Sequence, residues 1–357
     1  MTAPATFAVV GTGWRAGFFH RAARSLPGLL RVSGVVTRSG RAEVEGATAF
    51  ADLDALLAAE RPDFVIVSVP REAAPSAIRE LVGAGLPTLV ETPPAADLED
   101  LRRLWEGVGA SDLVQVAEQY PRYPGHAARR AVVERGLIGR PTSVHVSSTH
   151  DYHAIALMRS LLSAPRGEVT VHARPFESPL VDPMGRDAWT DDDTEQTATT
   201  VLATIDFGVG AGLYDFTSNQ WHNQLRHRRI LVRGSRGEIR DDDVVWMPEP
   251  RTVVDARIER RQSGYDLDLD GYATDHLTLG GEVLWRNPFP AQRFSDEELA
   301  IADMLVATGA WARGDGPGSY PLADGCQDHA IGLAIADALA SGEIVRVERE
   351  AWATPEV

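Results

Sequence analysis

Cysteine is all but missing: Cys326 stands alone among 357 residues. An internal disulfide and a Cys-rich structural zinc centre are both excluded, and a reducing cytoplasm is the expected compartment. Long apolar runs are missing too. None approaches the roughly 18 residues that a membrane-spanning helix needs, so no membrane partner is expected. The first six residues, MTAPAT, lack the basic start and apolar stretch of a signal peptide. Basic residues are scarce against acids, 35 Lys and Arg to 51 Asp and Glu, for a formal net charge of -16. Nucleic acid is excluded as the main partner, because binding phosphates requires concentrated Lys and Arg. The triplets Asp191-Asp192-Asp193 and Asp241-Asp242-Asp243 read as solvated loop charges, since adjacent residues cannot all converge on one ion. No metal site is expected.

The length implies two domains. Up to about residue 120, continuous apolar runs alternate with amphipathic stretches. Strands are expected at Phe7–Val10, Val32–Thr37, Phe64–Val69, Thr88–Glu91 and Leu113–Ala117. Helices are expected around Phe18–Leu26, Leu53–Leu57 and Ala77–Val82, and from the N-cap Asp97 to Val108. This order describes an α/β domain, residues 1–120, with a parallel sheet covered on both faces. The rhythm changes after Tyr120. Residues 121–357 read as an α+β domain on a large open antiparallel sheet with one polar face. Its helices are expected at His126–Arg135, Asp151–Leu162, Asp296–Arg313 and Asp324–Ser341. Its strands are expected at Thr142–Ser148, Thr197–Asp206, Ala211–Asn219, Arg229–Val232 and Ile344–Val347. Phe207–Gly210 joins two of these strands as a hairpin. Met247–Trp285 reads as irregular strands and loops. The last helix and strand are placed as able to fold back on the first domain.

Gly11-Thr12-Gly13-Trp14-Arg15-Ala16 follows the first strand and opens the first helix, the context that makes such a turn a dinucleotide site. Gly11 permits the tight turn, Gly13 lets backbone approach a pyrophosphate, and Ala16 allows close packing of helix on sheet. The helix N-terminus turns free N–H groups and a positive dipole end towards the phosphates. An acid at the end of the second strand would hold the ribose 2′-hydroxyl of NAD. Arg38 and Ser39 stand there instead and suit a 2′-phosphate, so NADP is favoured over NAD.

The sequence resembles the Gfo/Idh/MocA oxidoreductases (glucose-fructose oxidoreductase, inositol 2-dehydrogenase and rhizopine catabolism proteins). The segments that carry the likeness are Val9–Arg15 (VVGTGWR), Val65–Pro70 (VIVSVP), Val90–Pro94 (VETPP), Val133–Pro141 (VERGLIGRP), the helix around His153 and Tyr320–His329 (YPLADGCQDH). The resemblance implies a Rossmann domain joined to an α+β domain on a large open antiparallel sheet. It also implies an NAD(P)-dependent hydride transfer on sugars, cyclitols or related polyols, and a homo-oligomer, dimer or tetramer. It places Trp14, Arg15, Ser68, Pro70 and Glu91 at the cofactor. Two departures stand out. The family's Glu-Lys-Pro is Glu91-Thr92-Pro93 here, and threonine can supply neither an ammonium nor an acid/base near neutral pH. In the family's Asp-x-x-x-His pattern, with His153 as the histidine, the Asp position is Thr149.

Oxidising an alcohol requires a base for the hydroxyl proton, and a histidine's ordinary pKa of about 6.5 suits that task. His153 is the first candidate, with His150 three residues before it on the same helix face. Tyr120 follows a strand's carboxyl end, where ligands sit in open α/β sheets. With Thr92 it completes the expected catalytic set. Glu118-Gln119-Tyr120 is placed to line the nicotinamide edge, and Trp221 or His222 to sit at the rim of a polar strand face. Two other classes stay open. One is a catalytically silent cofactor-binding sensor or partner protein. The other is an epimerising or eliminating enzyme that recycles its bound cofactor.

Overall fold

A computed structural model of the chain describes residues 3–353 except 41–43, 45, 186–187, 265–270, 272 and 291. Two compact units emerge. The first comprises Met1–Pro124, Gln262–Asp275 and Asn287–Cys326, and the second Gly125–Arg261, His276–Arg286 and Gln327–Val357. The single cut expected after residue 120 is therefore replaced by a chain that returns twice to its first unit.

The first unit begins β1 (Ala5–Val10), α1 (Ala16–Ser25), β2 (Leu30–Val36), β3 (Thr48–Phe50), α2 (Leu53–Ala59) and β4 (Phe64–Val67). It continues α3 (Ala74–Gly83), β5 (Thr88–Val90), α4 (Leu98–Val108) and β6 (Val114–Val116). The strands lie in the order β3-β2-β1-β4-β5-β6, and every pairing is parallel. All four residues of β4 are buried, as strands covered on both faces require. Asp97 caps α4 by accepting from the Asp100 N–H at 2.8 Å, and Asp52 caps α2 in the same way.

The second unit carries α5 (Pro124–Glu134), β7 (Pro141–Ser147), α6 (Asp151–Leu162), β8 (Val169–Val181), β9 (Glu195–Asp206) and β10 (Ala211–Thr217). Then follow β11 (Arg229–Gly234), β12 (Gly237–Arg240), β13 (Asp243–Glu249), β14 (Thr252–Ser263), β15 (Ala273–Leu279) and β16 (Glu282–Arg286). The chain closes with α7 (Asp296–Ala312), α8 (Leu322–Ser341) and β17 (Val345–Val347). Strands β7 to β17 form an eleven-stranded sheet in the order β16-β15-β14-β13-β12-β11-β7-β10-β9-β8-β17. It is mixed rather than purely antiparallel, because β7 and β10 run parallel.

Several expectations need correction. The last strand does not fold back on the first unit; β17 pairs with β8 in the large sheet. Helix α7 returns and packs on α1, β1 and β4, and the first residues of α8, up to Cys326, also belong to the first unit, with Gly325 against Val116 of β6. The apolar residues of α7 bury on several sides, and Gly309 lies so close to Ala5 that a Cβ would come within 2.5 Å. Among the described residues of 247–285, β13, β14, β15 and β16 are regular strands. β14 buries Ile258 alone, so its alternation carries little hydrophobic signal. β8 was missed because Pro175 and Pro179 interrupt it. Among the described residues, beyond Val171 it pairs only with β9, and a strand open on one edge tolerates proline. β10 stops at Thr217 instead of reaching Asn219. The Gln220 side chain takes its place in the ladder, accepting from the Thr217 N–H at 3.0 Å and donating to Ser147 O at 2.8 Å. Among the described residues no helix is long and apolar enough to cross a membrane.

Candidate functional site

In the first unit, the residues singled out for the cofactor follow the carboxyl ends of parallel strands. Gly11 closes β1 with φ +111, and a Cβ there would lie 2.1 Å from Ser68 O. Only glycine fits, because both the conformation and the neighbouring carbonyl forbid a side chain. Gly13 is different: a Cβ there would meet nothing within 4 Å. The turn leads straight into α1, whose cap position, Arg15, makes no side-chain capping bond and whose first turn holds no acid. The Ala16, Gly17 and Phe18 amides donate to Gly13, Trp14 and Arg15 carbonyls at 3.0–3.2 Å, and the positive dipole end of α1, with open space beside Gly13, suits a pyrophosphate. Ala16 is buried, as close helix–sheet packing demands. Ser68 follows β4 and donates its N–H to Val10 O at 2.9 Å. Pro70 is exposed beyond it. Trp14 is 66% exposed and meets Phe18 edge-on at 4.8 Å.

Arg15 points into the protein. Its Nε lies 3.4 Å from Glu91 Oε1, and its Nη1 donates to Glu297 Oε1 at 2.7 Å. With the Gln119 amide set to donate to Ala117 O, the Gln119 oxygen accepts from Arg15 Nη2 at 2.6 Å. Burial would lower the guanidinium pKa, but Glu91 and Glu297 outweigh it and hold the group above its ordinary value. Three separate pieces of chain meet on this one side chain: the turn after β5, the segment after β6 and the first turn of α7. Glu297 was missed by sequence reasoning. The capping box Ser295–Glu298 marks the start of α7, but no local signal names a partner 282 residues away.

Thr92 sits half-buried after β5, and the Thr92–Pro93 peptide is cis. After β6, Glu118 and Gln119 are buried, and Glu118 Oε1 accepts from the Tyr120 N–H at 3.0 Å. Tyr120 stacks on Tyr123 with ring centroids 4.9 Å apart. Arg38 and Ser39 lie exposed beyond β2, where Thr37 and Ser39 share a 3.2 Å hydroxyl contact.

The histidines belong to the second unit. His150 occupies the N-cap position of α6, and His153 is 5% exposed in its first turn. Their rings lie 5.3 Å apart at 88°. Tyr152 lies 4.5 Å from His153 and 5.8 Å from His329 of α8. The Asp151 N–H donates to Tyr214 Oη at 3.2 Å. Beneath this cluster, Arg159 Nη1 donates to Asp328 Oδ1 at 2.6 Å, both side chains buried, and ties α6 to α8. Thr149, at the position of the family's Asp, is buried, and its hydroxyl finds no hydrogen-bond partner among the described residues.

The parity of β10 is now visible. Tyr214 and Phe216 are buried on the α6 side, and a Cβ on Gly212 would come 2.7 Å from Met158 Sδ. Asp215 faces the other way and pairs with Arg229 at 2.8 Å. Trp221 and His222 lie past the end of β10. His222 is held by Asp182 at 3.2 Å, which makes it a loop anchor. The acidic triplets are likewise structural. Asp241 Oδ1 accepts from the Ile230 N–H, Asp242 pairs with Arg129, Asp243 pairs with Arg240, and Asp192 Oδ1 accepts from the Thr194 N–H. Among the described residues no group of three His, Cys, Asp or Glu side chains could hold a metal ion.

Comparison with known proteins adds to this geometry. Residues 5–118 match the Gfo/Idh/MocA family model, described as an oxidoreductase family with an NAD-binding Rossmann fold. An inositol 2-dehydrogenase of Pseudomonas savastanoi pv. phaseolicola is 33% identical over 102 residues, 28% of this chain and 30% of that protein. The match thus spans about a third of that relative's length. Two solved structures share the fold along almost the whole chain. One is an oxidoreductase from Agrobacterium radiobacter in complex with NAD+, L-tartaric acid and magnesium (TM-score 0.67, 17% identity, 96% of this chain and 98% of that one). The other is a levoglucosan dehydrogenase in complex with NADH and levoglucosan (TM-score 0.67, 19% identity, 96% and 99%).

Proposed function

We propose, from a first domain that belongs to the Gfo/Idh/MocA oxidoreductases, that this protein is a dinucleotide-dependent oxidoreductase of a sugar, cyclitol or related polyol. The observation that carries the reading is the Gly11–Ala16 turn. Its first glycine is obligatory, its second faces open space, and its helix end carries no side-chain cap and no acid. The bound dinucleotide supplies hydride acceptance and return; the chain's own residues do the rest. Gly11, Gly13 and Ala16 would hold the pyrophosphate at α1, Ser68 and Glu91 border the adjoining strand ends, and Arg38 and Ser39 would hold the adenosine ribose. His153 takes the hydroxyl proton in oxidation and returns it in reduction. Burial in the first turn of α6 keeps water away from its ring. His150 stands beside it at the start of α6, and Thr92 and Tyr120 are the assisting groups proposed on the first unit. The solved structures that share this fold carry NAD+ or NADH with tartaric acid or levoglucosan, which agrees with a polyhydroxylated substrate.

Arg38 and Ser39, with no acid beside them, favour NADP over NAD. The phenyl and isobutyl groups of Phe176, Leu202 and Leu213 lie exposed on the sheet face away from α6. They support a homo-oligomer, which light scattering would detect, and the single cysteine supports a cytoplasmic location. Thr92 favours one second reading, a cofactor-binding protein without turnover. Titration with NAD+, NADH, NADP+ and NADPH, then a polyol screen, tests both. His153→Ala should lower kcat by roughly 10²–10⁴-fold with dinucleotide affinity kept. Unchanged turnover in that variant removes His153 from the reaction, and binding without turnover on any polyol selects the second reading.

A further inference from the structure

We propose that Arg15, although it stands in the phosphate-binding turn, is a positioning residue for the nicotinamide half of the dinucleotide site. The inference rests on the dinucleotide reading above and deepens it. A phosphate ligand should point an uncompensated cation at the anion. Arg15 instead spends Nε, Nη1 and Nη2 on Glu91, Glu297 and Gln119. Two carboxylates on one guanidinium leave a formal excess of negative charge, which repels phosphate.

The partners say what the side chain is for. In a doubly wound sheet of this order, β1 to β3 form the adenosine half and β4 to β6 the nicotinamide half. Glu91 follows β5 and precedes Thr92; Gln119 follows β6 and precedes Tyr120. Arg15 therefore joins the turn after β1 to the two segments that carry Thr92 and Tyr120, and Glu297 ties the assembly to α7. The planar fork of a guanidinium can hold three acceptors in fixed directions, which an ammonium cannot do with the same geometry. In a site whose family lysine is threonine, this fork sets the backbone that presents Thr92.

ADP-ribose tests the assignment, because it keeps the pyrophosphate and lacks the nicotinamide. Affinities of the intact chain for NAD+ and for ADP-ribose are measured by fluorescence titration in Arg15→Met, Arg15→Lys and Glu297→Gln. Arg15→Met is expected to weaken NAD+ about tenfold or more and ADP-ribose by less than about twofold. Glu297→Gln, which lies outside the turn, should show the same selectivity at smaller size, and Arg15→Lys should rescue only part of the loss. Equal weakening of both ligands makes Arg15 a phosphate ligand and overturns the proposal, as does no change in either. An unaltered protein that binds NAD+ but transfers no hydride removes the catalytic reading and leaves these affinities to decide Arg15. An unaltered protein that binds no dinucleotide removes both.

Discussion

β4 and β14 show how differently the two sheets are built. All four residues of β4, Phe64–Val67, are buried. β14, Thr252–Ser263, buries Ile258 alone and carries Arg257, Arg260 and Arg261 within its length. The first sheet is held from both faces by helices, so each strand residue adds apolar burial. The second is held chiefly by its ladder and by one covered face. The second unit buries its apolar side chains, Val144, Val146, Ile155, Leu157 and Ile205 among them, against that one face, and carries the buried Arg159–Asp328 tie as well.

The sharpest way to break this contrast is the Arg159–Asp328 pair beneath the histidines. Arg159→Met strands a buried carboxylate and should destabilise the second unit by about 3–5 kcal/mol, read by denaturant titration. A double replacement, Arg159→Met with Asp328→Leu, should recover much of that loss, since the penalty arises from an uncompensated charge. Next come the two glycines of the first unit. Gly11→Ala meets Ser68 O and a left-handed φ, so it should lower stability by roughly 1–3 kcal/mol and abolish dinucleotide binding. Gly13→Ala should leave thermal stability nearly unchanged and still weaken the dinucleotide strongly. Equal melting losses in the two variants would mean that both glycines serve only the fold.

An effect confined to acid pH distinguishes the units as well. Burial, then the neighbouring charges of Arg129 and Arg228, pushes His126 of α5 down to about 3. Arg129 also lies 3.3 Å from its Nδ1. The folded state resists a proton that the unfolded chain accepts below about pH 6.5. Stability contributed by neutral His126 is thus complete above that pH and drains away as pH falls towards 3, by at most about 1.4 kcal/mol per pH unit. His126→Gln should flatten the acid limb of the melting curve; an unchanged slope would assign that limb to other groups. The smallest effect expected is at the exposed turn after β2, where Arg38→Ala should lower the NADP-to-NAD affinity ratio about tenfold.

The same contrast explains how much could be read before the structure was known. Parallel strands buried on both faces announce themselves as apolar runs, and a turn that tolerates only glycine writes glycine into the chain. The order of the first unit and the place of its ligand turn were legible for those reasons. So were α6 and its histidines, whose helical spacing is local. β8 and β14 were hidden, one by prolines that an open edge accepts and the other by a face that buries almost nothing. The ties that shape the site were hidden more deeply. Nothing near Arg15 names Glu297, and nothing near Arg159 names Asp328, because both partners are set by the path of the chain.

That path has a consequence for how the protein is made. The first unit draws on Asn287–Cys326, including α7 against α1 and the Glu297 end of the Arg15 tie. During vectorial synthesis its nucleotide turn leaves the ribosome early, but the helix that completes it follows only after residues 125–286. At 5–20 residues per second, that interval is roughly 8–32 s. For that time the newborn sheet has an uncovered side, an opening for a chaperone or for a misplaced neighbour. Ribosome-bound chains arrested before and after residue 326 would show the difference as a step in protease resistance.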